Sequence, residues 1–274
     1  MSQPKAASAA TLTLTAIVII ASASALAGVW PIAVRAAHTQ AASLIGEAGT
    51  ANLAEAATDF RLATWLDPTN PAGYTGLAHT QILAGQPDAA LTTLKRAGEG
   101  TAAAELRLRT LMELGRTNEA ADRAAPFAAL GRSDADIVLA SLAYALDGRA
   151  TELPALIPLV STPEAAQRIS RAAAGDLPLA AELYANGLPE SSRTLLMKQP
   201  TSFERNFLLA QIFYSHHTEG DLASATDYLQ TAVALNPSYI PAHQLLANLY
   251  ADRKFTVESA TQTALVAKLQ SGRP

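Results

Sequence analysis

Beyond residue 50 the chain alternates between apolar stretches with helical spacing and short turns. Each turn follows one apolar stretch and precedes another, and successive turns lie 30 to 39 residues apart. A glycine in such a turn can adopt the positive φ that ends a helix. The pattern therefore predicts a repeated helix–turn–helix unit, with turns at Gly85, Gly115, Gly148, Gly187, Gly220 and, in the last unit, Lys254.

The residues of the second unit, 71–97, carry a family resemblance. Large and small side chains occupy characteristic places at Tyr74, Leu77, Ala78, Gly85, Ala90, Leu94 and Ala97. In this pattern the stretch resembles the tetratricopeptide repeat, and residues 220–237 resemble the second helix and closing proline of the same repeat. The resemblance implies an all-α fold, a right-handed α-solenoid of about seven such units whose first helices line a concave groove.

The pattern has a physical basis in helix packing. Alanines let two antiparallel helices approach closely, whereas tyrosine, leucine and phenylalanine fill the space between successive pairs. A proline after the second helix stops it, because proline has no N–H to donate and restricts the residue before it. Ala63 and Ala232 are accordingly predicted to lie at tight helix contacts.

The segment 11–34 is predicted to be a transmembrane signal anchor. No charged residue occurs between Lys5 and Arg35, and 24 apolar and small polar residues are enough to cross a hydrocarbon core as a helix. The flanking charges favour a short cytoplasmic N-terminus, residues 1–10, and an exported remainder. Small residues such as those of Ala25-Leu26-Ala27 leave a cleaved signal peptide as the alternative, and a merely buried helix as a third reading.

Residues 37–270 are assigned to the repeat domain, and the pattern weakens in its middle. Arg107 stands where the repeat has leucine, and Pro154 and Pro158 interrupt the second helix of the fourth unit. The fifth unit, 163–205, is longer than the others. We therefore predict a hinge within residues 150–180.

Composition and charge narrow the classes of function. Apolar residues make up 49% of the chain against 16% charged, and the 6 Phe, 7 Tyr and 2 Trp are few, so small helix-forming side chains dominate. A net charge of −4 without a basic block argues against nucleic acid as a partner. The absence of cysteine from the sequence excludes disulfides and thiolate chemistry.

Partner proteins are expected in the groove that the resemblance implies. In tetratricopeptide arrays, residues at fixed positions of the first helices contact an extended peptide or a partner helix. Carried over to this chain, those positions are Thr75, His79, Ile82, Arg109, Tyr214, His217, Gln244 and Asn248. Asn248 fits the subgroup that captures a C-terminal carboxylate, but the lysines of that subgroup are missing. A chaperone-tail receptor is therefore not predicted.

The sequence contains few motifs that would indicate catalysis or metal binding. His216-His217-Thr218-Glu219 is the only close cluster of metal-ligating residue types, and imidazoles before a turn are better explained by free carbonyls at a helix end. Asp134 and Asp136 are predicted to cap and charge a helix N-terminus. Neither a nucleophile elbow nor a phosphate loop is present in the sequence. We expect no enzyme activity, no cofactor and no metal.

The sequence thus favours a membrane-tethered tetratricopeptide scaffold of bacterial type. Its repeat domain would lie on the extracytoplasmic side of the cytoplasmic membrane and bind partner proteins of an envelope complex. Proteins that combine an N-terminal membrane span with exported tetratricopeptide repeats act in pilus assembly, cytochrome c maturation or translocon-linked folding. A role of one of these types is expected here. The alternative is an exported, non-catalytic binder of a small ligand or glycan at the irregular 150–200 junction.

Overall fold

The computed structural model describes residues 53–131 and 133–271, and within these ranges every regular element is a helix. These residues divide into two compact units, one ending at Thr110 and the other starting at Leu111. The all-α, helical-repeat prediction is confirmed for this part of the chain, while the right hand of the array stays a prediction. The predicted anchor, 11–34, lies outside the described residues, and no helix inside them is long and apolar enough to cross a bilayer.

The first unit contains helices joined by tight turns. Their bounds are α1 (Leu53–Leu66), α2 (Pro71–Leu83), α3 (Pro87–Leu94) and α4 (Thr101–Glu113), the last of which runs on into the second unit. Asn70 begins α2 by accepting a hydrogen bond from the N–H of Ala72, and Pro71 follows at the first helical position. Gly85 then takes the positive φ (71°) that the sequence predicts for the turn between α2 and α3.

Close alanine contacts hold the first unit together. Ala63, Ala78 and Ala90 have no exposed surface, as the packing pattern predicts. Tyr74 and Leu94 pack with Ala78 and Ala90 into one core cluster. The small residues allow the helices to approach, and the large ones fill the gaps between them.

Arg107 shows how a residue that departs from the repeat pattern fits the core. Only 7% of the residue is exposed, and its guanidinium donates to the carbonyl oxygens of Leu94 (2.7 Å) and Gly98 (3.4 Å). A 3.3 Å contact to the Glu99 carboxylate completes the arrangement. Leu94 is the last residue of the short helix α3, so Arg107 satisfies carbonyls that a leucine would leave without this donor.

The second unit continues with helical hairpins. Its further helices are α5 (Thr117–Leu130), α6 (Asp134–Leu146), α7 (Pro163–Ala173), α8 (Asp176–Ala185), α9 (Pro189–Leu196), α10 (Phe203–His216), α11 (Glu219–Leu235), α12 (Ile240–Asp252) and α13 (Thr256–Ser271). Ala225, Leu229 and Ala232 of α11 pack against α10 and α12 in one core cluster. Ala232 has no exposed surface, which confirms the tight contact predicted there.

The turn between α10 and α11 differs from the prediction. Gly220 lies inside the first turn of α11, and the left-handed residue that ends α10 is His217 (φ 57°). Thr218 starts α11 earlier than expected, because its side chain accepts a hydrogen bond from the N–H of Asp221. In the last hairpin, Lys254 takes the left-handed turn conformation as predicted (φ 62°).

Residues 150–159 interrupt the hairpin pattern, as Pro154 and Pro158 predict. They form two consecutive 3₁₀ turns, Ala150–Ala155 and Ile157–Leu159, before α7 begins. We call residues 150–159 the insert. Its start is held by Arg149, which forms ion pairs with Asp122 and Asp147 at 2.9 Å each.

The end of the insert is held by Asp134. Its carboxylate accepts hydrogen bonds from the backbone N–H and the hydroxyl of both Ser161 and Thr162. The expected cap of α6 is formed by Ser133 and Asp136, each side chain accepting from the other residue's N–H. Asp134 therefore charges the first turn of α6 as predicted, and it also fixes the loop that leads into α7.

The predicted fifth unit, 163–205, contains three complete helices, α7, α8 and α9, and the first residues of α10. α7 packs against both α6 and α8. Glu182 of α8 is 6% exposed and joins α7 through ion pairs to Arg168 (2.9 Å) and Arg171 (2.7 Å). The hinge expected within residues 150–180 stays a prediction.

Candidate functional site

An open cavity of about 740 Å³ lies between α2 and α4 in the first unit. Exposed residues of both helices line it, among them Ala72, His79 and Ala102. Its remaining walls come from Phe60, Pro71, Thr75, Gly76, Gly100, Thr101, Ala103, Glu105, Leu106 and Arg109. We call this space the α2–α4 cavity. Its volume lies within the range of ordinary ligand pockets.

The apolar wall of the α2–α4 cavity depends on one glycine. The ring of Phe60 is buried and crosses the backbone of α2 at Gly76. A Cβ at this position would lie 2.2 Å from Phe60 Cε1, far inside van der Waals contact. Gly76 therefore lets the aromatic ring lie directly against the helix and present an apolar surface to the cavity.

Polar groups stand at the rim. Arg109 forms an ion pair with Glu105, one helical turn earlier, with 2.8 Å between Nε and Oε1. The hydroxyl of Thr75 donates to the carbonyl of Pro71 (2.9 Å), so its proton is already used inside α2. His79 is exposed at the opposite wall from Arg109. An apolar base with a cationic and an anionic group at its edge can bind a chain that carries both apolar and polar groups.

Three of the eight predicted groove residues meet in this cavity: Thr75, His79 and Arg109. Ile82 is half-buried and packs against the core cluster around Tyr74. It therefore contributes to packing, and it is not among the residues that line the cavity.

The predicted groove residues of the second unit lie elsewhere. The hydroxyl of Tyr214 donates to Asp252 of α12 (2.7 Å), and this hydrogen bond, followed by burial, raises the pKa of Tyr214. The ring of His217 lies 4.9 Å from that of Tyr214, with Nδ1 against the Tyr214 carbonyl. Gln244 and Asn248 are exposed on α12. For these four residues, binding stays a prediction.

The histidine pair forms a surface cluster. His216 lies 3.7 Å from Glu190 through Nε2 and 3.7 Å from Asp221 through Nδ1. Across the described ranges no group of three or more His, Asp and Glu side chains is placed to hold a metal ion. That the protein has no enzymatic activity remains an expectation.

Three lining residues, Phe60, Gly76 and Glu105, are not among the site residues that the sequence predicts. Glu105 could have been found, because it precedes Arg109 by one turn on the same face of α4. The role of Gly76 could not be predicted from the sequence, because it depends on the ring of Phe60, a residue in another helix.

No protein-family model and no curated protein matches the sequence. Similar solved structures include PilF of Pseudomonas aeruginosa, at 14% identity and a TM-score of 0.45, covering 80% of this chain and 99% of that one. A tetratricopeptide repeat protein from Parabacteroides merdae is 14% identical with a TM-score of 0.44, covering 86% and 93%. The human IFIT1 dimer with m7Gppp-AAAA is 16% identical with a TM-score of 0.40, covering 85% and 50%.

Proposed function

We propose that this protein is a tetratricopeptide-type scaffold that binds partner proteins, and that the α2–α4 cavity receives a short extended segment of a partner. The carrying observation is that the cavity unites Thr75, His79 and Arg109 around the apolar wall of Phe60. The apolar wall supports burial of one side chain of the segment. The rim groups support pairing with its backbone and polar side chains, the usual division of roles in peptide recognition.

We further propose that the scaffold is tethered to the bacterial cytoplasmic membrane by residues 11–34. The repeat domain then works on the extracytoplasmic side and helps to assemble an envelope complex of the pilus, cytochrome c maturation or translocon-linked folding type. The uncharged N-terminal stretch supports the tether. Nucleic acid is not expected as a partner, given the net charge of −4.

Affinity purification of the full chain from intact cells tests the scaffold. Ala102 lines the α2–α4 cavity and is exposed, so Ala102→Trp fills the cavity without entering the core. Ala89 is equally exposed on α3 and lies outside the cavity lining, so Ala89→Trp is the matched control. Partners should be lost with Ala102→Trp and kept with Ala89→Trp. Equal recovery with both variants would contradict groove binding.

The tether has a separate test. Mass spectrometry of the native N-terminus, together with membrane fractionation, should find an intact N-terminal segment in the membrane fraction. A mature chain that begins near Gly28 and is recovered in soluble form would eliminate the anchor and leave the scaffold proposal standing.

A further inference from the structure

A second cavity, of about 700 Å³, lies in the second unit beneath the insert. Its walls come from α5, α6 and the insert, and most of its lining is apolar. The lining residues are Ala125, Ala128, Ala129, Gly131, Ile137, Tyr144, Glu152, Ala155, Leu156 and Leu159. We call this space the insert cavity. None of the predicted groove residues lies in it.

The insert cavity exists because the helix that would fill this place is interrupted. Pro154 and Pro158 hold the insert in 3₁₀ turns, and the opposing wall of α5 offers mainly alanine methyl groups. Both ends of the insert are fixed, at Arg149 by two ion pairs and at Asp134 by four hydrogen bonds. The cavity is therefore preformed, which lowers the entropic cost of filling it.

One charged group lines the insert cavity among the residues that the structure describes: the carboxylate of Glu152. Glu152 is exposed, and its side chain makes no hydrogen bond within the described ranges. The other polar lining group is the Tyr144 hydroxyl. Burial raises the pKa of Tyr144, and the Glu152 carboxylate raises this pKa further, which places that negative charge close to an apolar environment.

The apolar lining reaches the surface beside this carboxylate. Leu159 is 57% exposed and Ile157, its neighbour in the insert, is 37% exposed. A ligand that covers Leu159 and fills the cavity would remove this apolar surface from water. An apolar body can make van der Waals contact with the cavity walls. A cation attached to it can form an ion pair with Glu152.

We propose that the insert cavity is a binding site for a small cationic amphiphile, an apolar body with one amine or ammonium head. The body lies between Ile137 and Leu156, and the head pairs with Glu152. Carboxylate-headed ligands are disfavoured by like charge. Glycans are a poor fit, because their hydroxyl groups need several converging donors and acceptors that this lining lacks.

Calorimetric titration of the full chain with two probes of the same apolar body tests the site. The probes are 4-phenylbutylammonium and 4-phenylbutyrate, which differ in the sign of the head group. The ammonium probe should bind about two- to fivefold more tightly, because an ion pair with the exposed Glu152 carboxylate contributes up to about 1 kcal/mol. Equal affinity, or tighter binding of the carboxylate, would overturn the proposal.

Two variants assign the binding to the insert cavity. Glu152→Gln should abolish the preference for the ammonium head, while Glu164→Gln, an exposed residue outside the lining, should keep it. Ala155 is exposed in the lining, so Ala155→Trp should fill the cavity and remove both probes, with Ala89→Trp again as the control. Binding that survives Ala155→Trp would contradict the site. Absence of probe binding, with a partner protein crosslinked at Leu159, would assign the cavity to a protein and also overturn the proposal.

Discussion

At the scale of single residues, Arg107 carries out a function that a consensus leucine could not. Its guanidinium reaches the Leu94 carbonyl at 2.7 Å from within the core. Arg107→Met keeps an unbranched apolar stem and removes the donors. Because buried carbonyls then lose a partner, the free energy of unfolding should fall by about 1–3 kcal/mol.

Chemical denaturation of the full chain measures this loss. The exposed Arg96→Met is the control and should change the free energy of unfolding by less than about 0.5 kcal/mol. An Arg107→Met variant as stable as the parent would show that the buried guanidinium contributes only volume.

Gly76 is the residue on which the shape of the α2–α4 cavity depends. Gly76→Ala places a methyl group 2.2 Å from the Phe60 ring, so the ring must move. We expect a loss of about 1–3 kcal/mol in the free energy of unfolding, and weaker partner recovery. In a Phe60→Leu background the same change should cost clearly less, because the clash partner is smaller.

Gly100 provides the matched control for Gly76. It also lines the cavity, yet a Cβ there would meet nothing within 4 Å. Gly100→Ala should therefore leave partner recovery unchanged and lower the free energy of unfolding by less than about 1 kcal/mol, the cost of alanine before the first residue of α4. A loss of equal size in both variants would show that the loss at position 76 does not come from the contact with the Phe60 ring.

At the scale of elements, the clamp on the insert should respond to acid. Hydrogen bonds from Ser161 and Thr162, the Ser161 N–H first, lower the pKa of Asp134 in the folded protein. A carboxyl group with a lowered folded pKa stabilises the fold above its unfolded pKa of about 3.9, and this contribution is lost as pH falls through the folded pKa. Asp134→Asn should therefore be less stable than the parent at pH 7.

The pH dependence of that difference is the measurement. The free energies of unfolding of parent and Asp134→Asn should converge as the pH falls below about 3.9. A difference that stays constant from pH 7 to strongly acidic conditions would show that the Asp134 charge does not hold the insert.

The junction of α7 and α8 depends on Glu182. Its carboxylate is buried but both arginine partners, Arg168 and Arg171, reach solvent, so the pairs are partly screened. Glu182→Ala should lower the free energy of unfolding by about 1–3 kcal/mol. Glu164→Ala, exposed in the first turn of α7, should change it by less than about 0.5 kcal/mol. If both variants unfold at the same denaturant concentration, the ion pairs do not stabilise this junction.

Elements were easier to predict than their junctions. Gly85, Gly115, Gly148 and Gly187 all take the positive φ that the repeated turns require. Gly220 does not, because Thr218 and Asp221 cap α11 one turn earlier and leave His217 in the left-handed conformation. Where both a glycine and a capping side chain are available, local hydrogen bonds decide at which residue the turn forms. The spacing of apolar residues does not indicate the outcome.

At the scale of the whole molecule, the repeat pattern predicts which helix faces are available but not which residues meet. Thr75, His79 and Arg109 come from two helices and share one cavity, whereas Ile82 of the same set packs against the core. The insert cavity had only a partial signal, the prolines at 154 and 158. Its lining depends on how α5, α6 and the insert pack together. The periodicity of apolar residues in any one of these segments does not predict that packing.

The proposed function requires the α2–α4 cavity to hold a polypeptide segment of a partner. Thr101 and Thr92 are both exposed threonines, the first in the cavity lining and the second on α3 outside it. A photoreactive benzoylphenylalanine at each position in the full chain, irradiated in intact cells, shows whether such a segment occupies the cavity. We expect a discrete protein adduct from position 101 that Gly76→Ala weakens, and none from position 92. Equal labelling from both positions, or no protein adduct from position 101, would contradict it.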